Sequence, residues 1–481
     1  MFEILDSQSK LTKRQWTIVG AAIAGDLLEF FDYYLIGFVL AYVVGPWKLT
    51  YGATAVILLS SGVGAILGAF FYGWLADRIG RRSVFMATVV NFAVATGALA
   101  FTPENGWLFL VVFRFLVGFG AGGLYCVDLP LVQEYVPTSM RGRIGGLVTA
   151  AVPCGLLLAS LVTGILAPII GWRGLFIVGA APALLIVFVR AFVPESPRWL
   201  ATQGRFEEAR KSLAWALNRP IAEIPPPTAA DSERSGKVAG TRFRDIFKHP
   251  RSLAVSWLSN LGIQTGSYGF TMWAPTLLVL LLHVSPAQAS WLMVAVSLGG
   301  LLGRFLFSAL SESIGRRASG SIFGIVAGIG LVAAAVNHDV FLGGISLFWL
   351  LLIVTNVFAD GGFAIVGPYS AEVWPSRLRT TGMGSAYGFG GIGKVIGPLG
   401  LAMIVGSSNI VTPQASADAV VPAFIYLAGW YVFASLVFVF IGIETRGLSL
   451  ESLEGALEPE TIKRADHSDK VSALFSQDRQ V

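Results

Sequence analysis

The chain has 481 residues and a formal net charge of +5, with 54% hydrophobic and only 13% charged residues and a mean hydropathy of +0.69. Soluble domains carry about 25% charged residues, so a soluble globular protein is excluded and a polytopic membrane protein is indicated. The small positive surplus does not suggest a nucleic-acid partner and matches the Lys and Arg excess that orients loops toward the cytoplasm.

Lys10, Lys13 and Arg14 precede the first apolar stretch with no small-residue cleavage site, so residues 1–15 read as a retained cytoplasmic lead. The first span runs from about Trp16 to Val44, long enough to cross a bilayer. Inside it lies Gly25-Asp26-Leu27-Leu28-Glu29-Phe30-Phe31-Asp32-Tyr33-Tyr34. Each intramembrane charge costs roughly 2.5–3.5 kcal/mol on insertion scales, so such acids face a bundle interior or a water-filled cavity. At 100° per residue, Asp26, Glu29, Tyr33 and Gly37 share one stripe, and Asp32 sits about 60° beyond Glu29. Asp26, Glu29 and Asp32 are therefore proton-coupling candidates, with Tyr33 beside them as a substrate contact. The competing reading is that these acids pair with cations for folding alone.

Further apolar windows recur at about 51–76, 84–102, 107–129, 143–170 and 173–193, then at about 252–282, 287–310, 319–336, 341–369, 380–405 and 420–442. The expectation is an all-α protein of twelve transmembrane helices in two six-helix bundles, residues 16–193 and 251–443. Alternate loops carry Arg78, Arg81 and Arg82; Arg141 and Arg143; Arg316 and Arg317; Arg377 and Arg379. The intervening loops hold little beyond Lys48 and Arg173. This alternation puts both termini, the loop 194–250 and the tail 444–481 in the cytoplasm of a plasma or inner membrane. Within the loop, residues 206–213 have helical periodicity and are expected to lie as an amphipathic helix on the inner membrane face. Ile224 to Gly240, with Pro225-Pro226-Pro227, reads as a linker. Cys126 and Cys154 fall in apolar segments and read as packing residues. The four histidines show no metal spacing, so neither metal nor cofactor is expected.

The chain is internally repeated. Ile79-Gly80-Arg81-Arg82 recurs as Ile314-Gly315-Arg316-Arg317, an offset of 235 residues. Glu134-x-x-Pro137-x-x-x-Arg141 recurs as Glu372-x-x-Pro375-x-x-x-Arg379, an offset of 238. Six spans per copy preserve orientation, so this is a parallel repeat about an axis along the membrane normal.

With these motifs the sequence resembles the major facilitator superfamily over nearly its whole length. Gly73-Trp74-Leu75-Ala76-Asp77-Arg78-Ile79-Gly80-Arg81-Arg82 is similar to that family's signature loop, and Arg114-Phe115-Leu116-Val117-Gly118-Phe119-Gly120 to its fourth-span motif. Pro194-Glu195-Ser196-Pro197-Arg198-Trp199-Leu200 and Glu444-Thr445-Arg446-Gly447-Leu448-Ser449-Leu450 resemble marks of the sugar-porter and related solute-symporter branch. Glu29-Phe30-Phe31-Asp32 resembles the first-span patterns of aromatic-acid:proton and metabolite:proton symporters, with Glu for the first Asp and Phe for Gly in the former. The paired glutamines of sugar porters early in span seven are replaced by Asn260-Leu261-Gly262-Ile263-Gln264.

The resemblance implies alternating access by rocking of the two bundles, with Asp77 as a gate acid and Glu312 in the matching place. Arg78, Arg82, Glu134, Arg141, Arg316, Glu372 and Arg379 complete the expected cytoplasmic gate. Arg114, about seven residues into span four, needs an anionic partner, which Glu29, Asp32 or a substrate can supply. Lys394 lies in the glycine-rich Gly390-Gly391-Ile392-Gly393-Lys394, roughly 22 Å along the helix from Arg379 at 1.5 Å per residue, and is read as interior rather than snorkelling. Asn260, Gln264, Ser267 and Thr271 make a polar stripe with Tyr268 nearby, either a cavity wall or helix–helix hydrogen bonding. Asn356 and Asp360 are the span-ten candidates for substrate contact. Arg304 is read as pairing near the inner gate in preference to binding substrate, and Asp128 as structural in preference to a gate role. The expected function is proton-coupled symport of a small organic anion, an aromatic acid or dicarboxylate. The alternatives are a sugar or other neutral-solute symporter and a proton-driven exporter. No nucleophile, metal or phosphate motif suggests an enzyme. The expected partners are the small-molecule substrate, protons and the lipid bilayer, with the protein acting as a monomer.

Overall fold

A computed structural model describes residues 2–137, 140, 144–145, 147–148, 150–180, 193–226, 243–375 and 378–446. The described chain is almost wholly helical. In order the helices are α1 (Glu3–Asp6), α2 (Lys13–Val43), α3 (Tyr51–Ile79), α4 (Arg81–Leu99), α5 (Trp107–Tyr135), α6 (Ala151–Gly179), α7 (Pro197–Thr202), α8 (Phe206–Leu217), α9 (Pro250–Leu282), α10 (Pro286–Ser313), α11 (Arg316–Val336), α12 (Leu347–Glu372), α13 (Arg379–Gly390), α14 (Gly393–Val405) and α15 (Pro413–Ile441). Among the described residues, ten helical stretches are long and apolar enough to cross a membrane, counting α13 and α14 as one. The 31-residue α2 has the length too, but carries three carboxylates.

Local chemistry sets the helix starts. Thr12 and Gln15 form a reciprocal capping box at α2, and Ser285 and Gln288 another at α10. Gly80 (φ 103°, ψ 153°) separates α3 from α4, and Gly315 (φ 100°, ψ 161°) separates α10 from α11. Glycine alone tolerates this backbone easily, so the repeated Ile-Gly-Arg-Arg motif produces the same break twice.

The expected break between the windows 143–170 and 173–193 is present, because the backbone at Gly171 (φ 70°, ψ 170°) is non-helical and divides α6 into two helical parts; residues 181–192 lie outside the described set. Three expected boundaries are corrected. Span ten starts at Leu347, not 341. Phe341–Leu342 and Ile345–Ser346 pair as an antiparallel hairpin, turning on Gly343 and Gly344 at φ 57° and 85°. Span twelve starts earlier, at Pro413, where Thr412 caps it. Span eleven is two helices, because the chain tightens through Gly391 and Ile392 and the Lys394 N–H bonds the Gly391 carbonyl three residues back, at 3.0 Å.

The reading of the long loop between the halves is also corrected. Helix α8 exists, but its apolar face does not lie free on a bilayer. Ala209, Leu213 and Leu217 pack with Leu5, Leu200 and Ile224. The N-terminal lead is tied to it, with Thr12 Oγ1 donating to the Ala216 carbonyl at 2.5 Å and Arg14 Nη1 to the Trp215 carbonyl at 3.1 Å. Residues 227–242 of the expected linker and 447–481 of the tail lie outside the described set.

Within the first half, α3 and α4 pack on α5, and α2 packs on α6; within the second, α10 packs on α12 and α15 packs on both α9 and α11. The α3–α5 seam is built on Gly64, Gly68, Gly118 and Gly122, where an added Cβ would strike the facing backbone of Phe115, Phe119, Ser61 and Ala65 respectively. Small residues at four-residue spacing let membrane helices approach this closely. The halves meet through α2 with α9, α3 with α14, and α6 with α10.

On the face opposite the arginine loops the halves are joined by backbone. Thr50 and Ile410 form an antiparallel bridge. The N–H groups of Tyr51, Gly52 and Val411 donate to the carbonyls of Asn409, Ser407 and Leu49, each at 2.9 Å. Tyr51 adds a 2.5 Å hydroxyl contact to Ser416 and stacks on Trp273 at 5.5 Å.

Candidate functional site

The charged stretch of α2 turns inward. Asp26, Glu29 and Asp32 are 1%, 6% and 0% exposed, so none faces lipid. Arg114 of α5 is also 0% exposed and meets Asp32: Nη1 lies 2.9 Å from Asp32 Oδ2 and also donates to the Asp32 carbonyl. Its Nη2 donates to the Tyr33 carbonyl and to Ser61 Oγ, both at 3.2 Å. Of the two acids expected as Arg114 partners, Asp32 is therefore the one bonded. Ser61 is a partner that the sequence reading missed, since a lone serine in an apolar helix carries no signal of its own.

Glu29 sits one turn away in a different company. Its electrostatic neighbours are Asp26 and Lys394, so the first half's acids meet the second half's lysine at the boundary between halves. Lys394 is interior, as expected. Its Nζ lies 5.3 Å from the Tyr33 ring centre, 5.0 Å from Tyr268 and 5.9 Å from Tyr387. A partly desolvated ammonium gains about 1–2 kcal/mol from such a ring face. Tyr33, Tyr34 and Tyr268 pack mutually at 5.4–6.5 Å. Tyr33 and Tyr268 were legible as candidates. Tyr34 and Tyr387 were not singled out, because only the fold brings α2, α9 and α13 together. The break before Lys394 delivers it here: Gly393 and Gly397 let α14 lie directly on the α9 backbone at Thr265 and Gly269.

The span-ten candidates divide. Arg304 pairs with Asp360 at 3.0 Å, inside the second half beside Tyr34, which corrects its assignment to an inner-gate pair. Gly300 makes room for this: a Cβ there would lie 2.8 Å from Asp360 Oδ2. Asn356 donates to the Val296 carbonyl at 2.8 Å, tying α12 to α10. Asn260 donates to Ser370 at 2.7 Å, and Ser267 shares a 3.0 Å bond with Tyr431. Asn260 and Ser267 thus make helix–helix bonds, while Thr271 donates back to the Ser267 carbonyl within α9 at 2.7 Å. Gln264 differs: its Nε2 reaches the Tyr387 carbonyl at 3.5 Å, and its buried Oε1 has no hydrogen-bond partner among the described residues.

At the arginine face the repeat is visible as matched ion pairs. Arg81 lies 3.8 Å from Glu134, and Arg316 lies 3.3 Å from Glu372. Arg81, which was not among the gate candidates, makes the first of these pairs; Arg78 stacks over Trp74 at 4.0 Å. Glu195 accepts from the Arg82 N–H at 3.0 Å. Glu444 accepts from the Arg316 and Arg317 N–H groups at 2.9 and 3.1 Å. Each acid crowns the N-terminus of the helix after the glycine break, where the helix dipole favours negative charge. Neither was singled out from sequence, although both sit in quoted motifs. Glu312 is exposed and makes no ion pair among the described residues, so the Glu312 gate contact is not seen; the arginine of its loop is held by Glu372 instead. Arg316 also meets Ser311. Arg379 is partly buried at the start of α13. The side chains of Asp77 and Asp128, and the whole of Arg141, lie outside the described set.

Two halves of packed helices, joined around buried charge of both signs, define a multi-pass membrane transporter of the major facilitator superfamily. The chain belongs to the sugar (and other) transporter family, which matches residues 17–457. It is similar to the niacin transporter NiaP of Acinetobacter baylyi, 30% identical over 447 residues, 92% of this chain and 97% of the relative. It is also similar to the cis,cis-muconate transport protein of the same organism, 26% identical over 409 residues, 84% of this chain and 91% of the relative. In fold it is similar to the proton:xylose symporter XylE from E. coli, with a TM-score of 0.69 and 22% identity, over 93% of this chain and 100% of that one.

Proposed function

We propose that this transporter carries a small organic acid together with protons by alternating access. The observation that carries the reading is Lys394, held by three tyrosines at the boundary between the halves, with buried Glu29 as its electrostatic neighbour. Lys394 is the anion contact, and the tyrosine rings are the platform for the substrate's flat body. Glu29 is the principal proton carrier, with Asp26 beside it. An incoming carboxylate competes with Glu29 for the lysine, so anion binding and proton uptake are linked through the shared cation. Asp32 and Arg114 form a closed pair that holds α2 on α5. Niacin and muconate, the named cargoes of the two relatives, are both flat conjugated carboxylic acids, which supports this substrate class.

Residues 16–193 and 251–443 act as the two rocking bodies, with Arg81–Glu134 and Arg316–Glu372 bracing the gate side of each. The arginine loops and both termini lie in the cytoplasm of the plasma or inner membrane. The Thr50–Ile410 bridge is then an outer seal, and the conformation is closed to the outside. The carrier works as a monomer.

The test is uptake by the purified full chain in proteoliposomes, screening aromatic acids, dicarboxylates and sugars with and without an imposed pH gradient. The expected result is acid uptake driven by an acidic outside. Uptake of sugars alone overturns the reading.

A further inference from the structure

Arg114 and Arg304 both lie among the spans, and the fold treats them in opposite ways. Arg114 is fully enclosed, with both terminal nitrogens bonded. Arg304 keeps 18% of its side chain exposed. Its Nε and Nη2 converge on one oxygen, Asp360 Oδ1, at 3.2 and 3.0 Å. Nη1 has no hydrogen-bond partner among the described residues. The guanidinium sits 5.3 Å from the Phe363 ring centre, and its charge reaches Tyr34 and Tyr268. Those two rings stack at 6.5 Å with 19° between planes, and the Tyr268 ring faces Lys394 Nζ at 5.0 Å. Lys394 thus faces one ring of this stacked pair, and Arg304 is an electrostatic neighbour of both rings.

We infer that Arg304 is a second anion contact and that the preferred substrate is a planar conjugated dicarboxylate. This rests on the organic-acid reading above and names its subclass. One carboxylate pairs with Lys394, the flat middle lies along Tyr34 and Tyr268, and the other carboxylate accepts from Arg304 Nη1. An arginine carries five N–H donors in a rigid fork and bridges two carboxylates without moving. Asp360 neutralises it in the empty carrier, so the guanidinium is not left as an unpaired charge among the helices. A conjugated linker holds its two ends apart with little rotamer entropy to lose.

The experiment measures proteoliposome uptake of cis,cis-muconate and benzoate by the full chain as wild type, Arg304→Gln, Arg304→Lys and Asp360→Asn, with yield and melting temperature for each. Arg304→Gln is expected to lower kcat/KM for muconate relative to benzoate by about tenfold or more, through KM. Arg304→Lys is expected to recover part of that ratio, because it keeps the charge and loses the fork. Asp360→Asn is expected to leave the muconate KM unchanged or lower it, since the guanidinium then has more donors to offer. Equal losses for both acids in both Arg304→Gln and Asp360→Asn overturn the inference and leave the pair a brace between α10 and α12. Where Arg304→Gln lowers the yield, the opposed effects of Arg304→Lys and Asp360→Asn on the muconate KM decide. A wild type that carries benzoate but not muconate sinks this inference alone; one that carries neither acid sinks the organic-acid reading with it.

Discussion

Lys394, half-buried, and Arg114, fully buried, are cations contributed to the same region, yet their surroundings give them different work. Lys394 is held over the ring faces of three tyrosines, with Glu29 as its electrostatic neighbour. Lys394→Met is therefore expected to lower acid uptake by about tenfold or more, with the protein still assembled; retained uptake at wild-type KM would exclude it as the anion contact. Glu29→Gln is expected to leave uptake that no longer responds to an imposed pH gradient, read as equal initial rates with and without the gradient. Arg114 instead is bonded to Asp32 Oδ2 and to the Asp32 carbonyl, and breaking a buried pair from one side costs about 3–5 kcal/mol. Arg114→Met is thus expected to lower thermal stability sharply, and Arg114→Met with Asp32→Leu to recover most of it. If the single and double variants melt together, the pair is not a staple. At this scale the sequence showed that charge in span one and span four must be interior, from the cost of charge in lipid. It did not show which acid meets Arg114, because Glu29 and Asp32 are less than one helical turn apart.

Helices here are placed by small residues and by acids at helix starts. Gly118 faces the Ser61 backbone and Gly122 the Ala65 backbone, so a side chain at either forces α3 and α5 apart. Gly122→Leu is expected to destabilise the first half by about 1–3 kcal/mol, the usual cost of overpacking, read as a lower melting temperature in detergent. At the start of α11, burial pushes the Glu444 carboxyl up, but four backbone N–H groups, those of Arg446, Arg316, Arg317 and Thr445, outweigh it and hold the group below its ordinary value of 4.5. A depressed carboxyl stabilises the fold above its unfolded value and loses that stabilisation as pH falls through the folded value. The melting-temperature gap between wild type and Glu444→Gln is therefore expected to be widest near neutral pH and to close as pH falls below 4.5. A gap that does not change with pH would assign Glu444 a packing role only. Most helices were legible from apolar length. The break before Lys394 was not, since it is a tightening through Gly391 and Ile392 with both residues still in the right-handed helical region, and the hairpin at 341–346 was not, since it turns on positive φ at Gly343 and Gly344.

For the whole molecule, alternating access requires the halves to part on one face while they close on the other. The bridge between Thr50 and Ile410 ties the two halves by backbone hydrogen bonds, so it must open when that face opens. Cross-linking Thr50→Cys to Ile410→Cys is expected to stop uptake, with recovery on reduction; full uptake by cross-linked protein would show that this contact never opens during transport. Gly52 has a Cβ position 2.8 Å from the Ser407 carbonyl oxygen, so Gly52→Val is expected to hold that face ajar, read as greater labelling of a cysteine placed at Ser416.

The sequence alone determined that the chain is a duplicated, twelve-span transporter with charge held inside. Apolar length, loop arginines and repeated motifs are properties of the chain read along itself, and a bilayer enforces each of them residue by residue. Only the tertiary structure decided which charges meet. Asp32 with Arg114, Arg304 with Asp360, and Lys394 with Tyr33 are pairings across segments 82, 56 and 361 residues apart. Such contacts depend on helix rotation and on where the chain tightens before Lys394, and no local pattern in the chain encodes either.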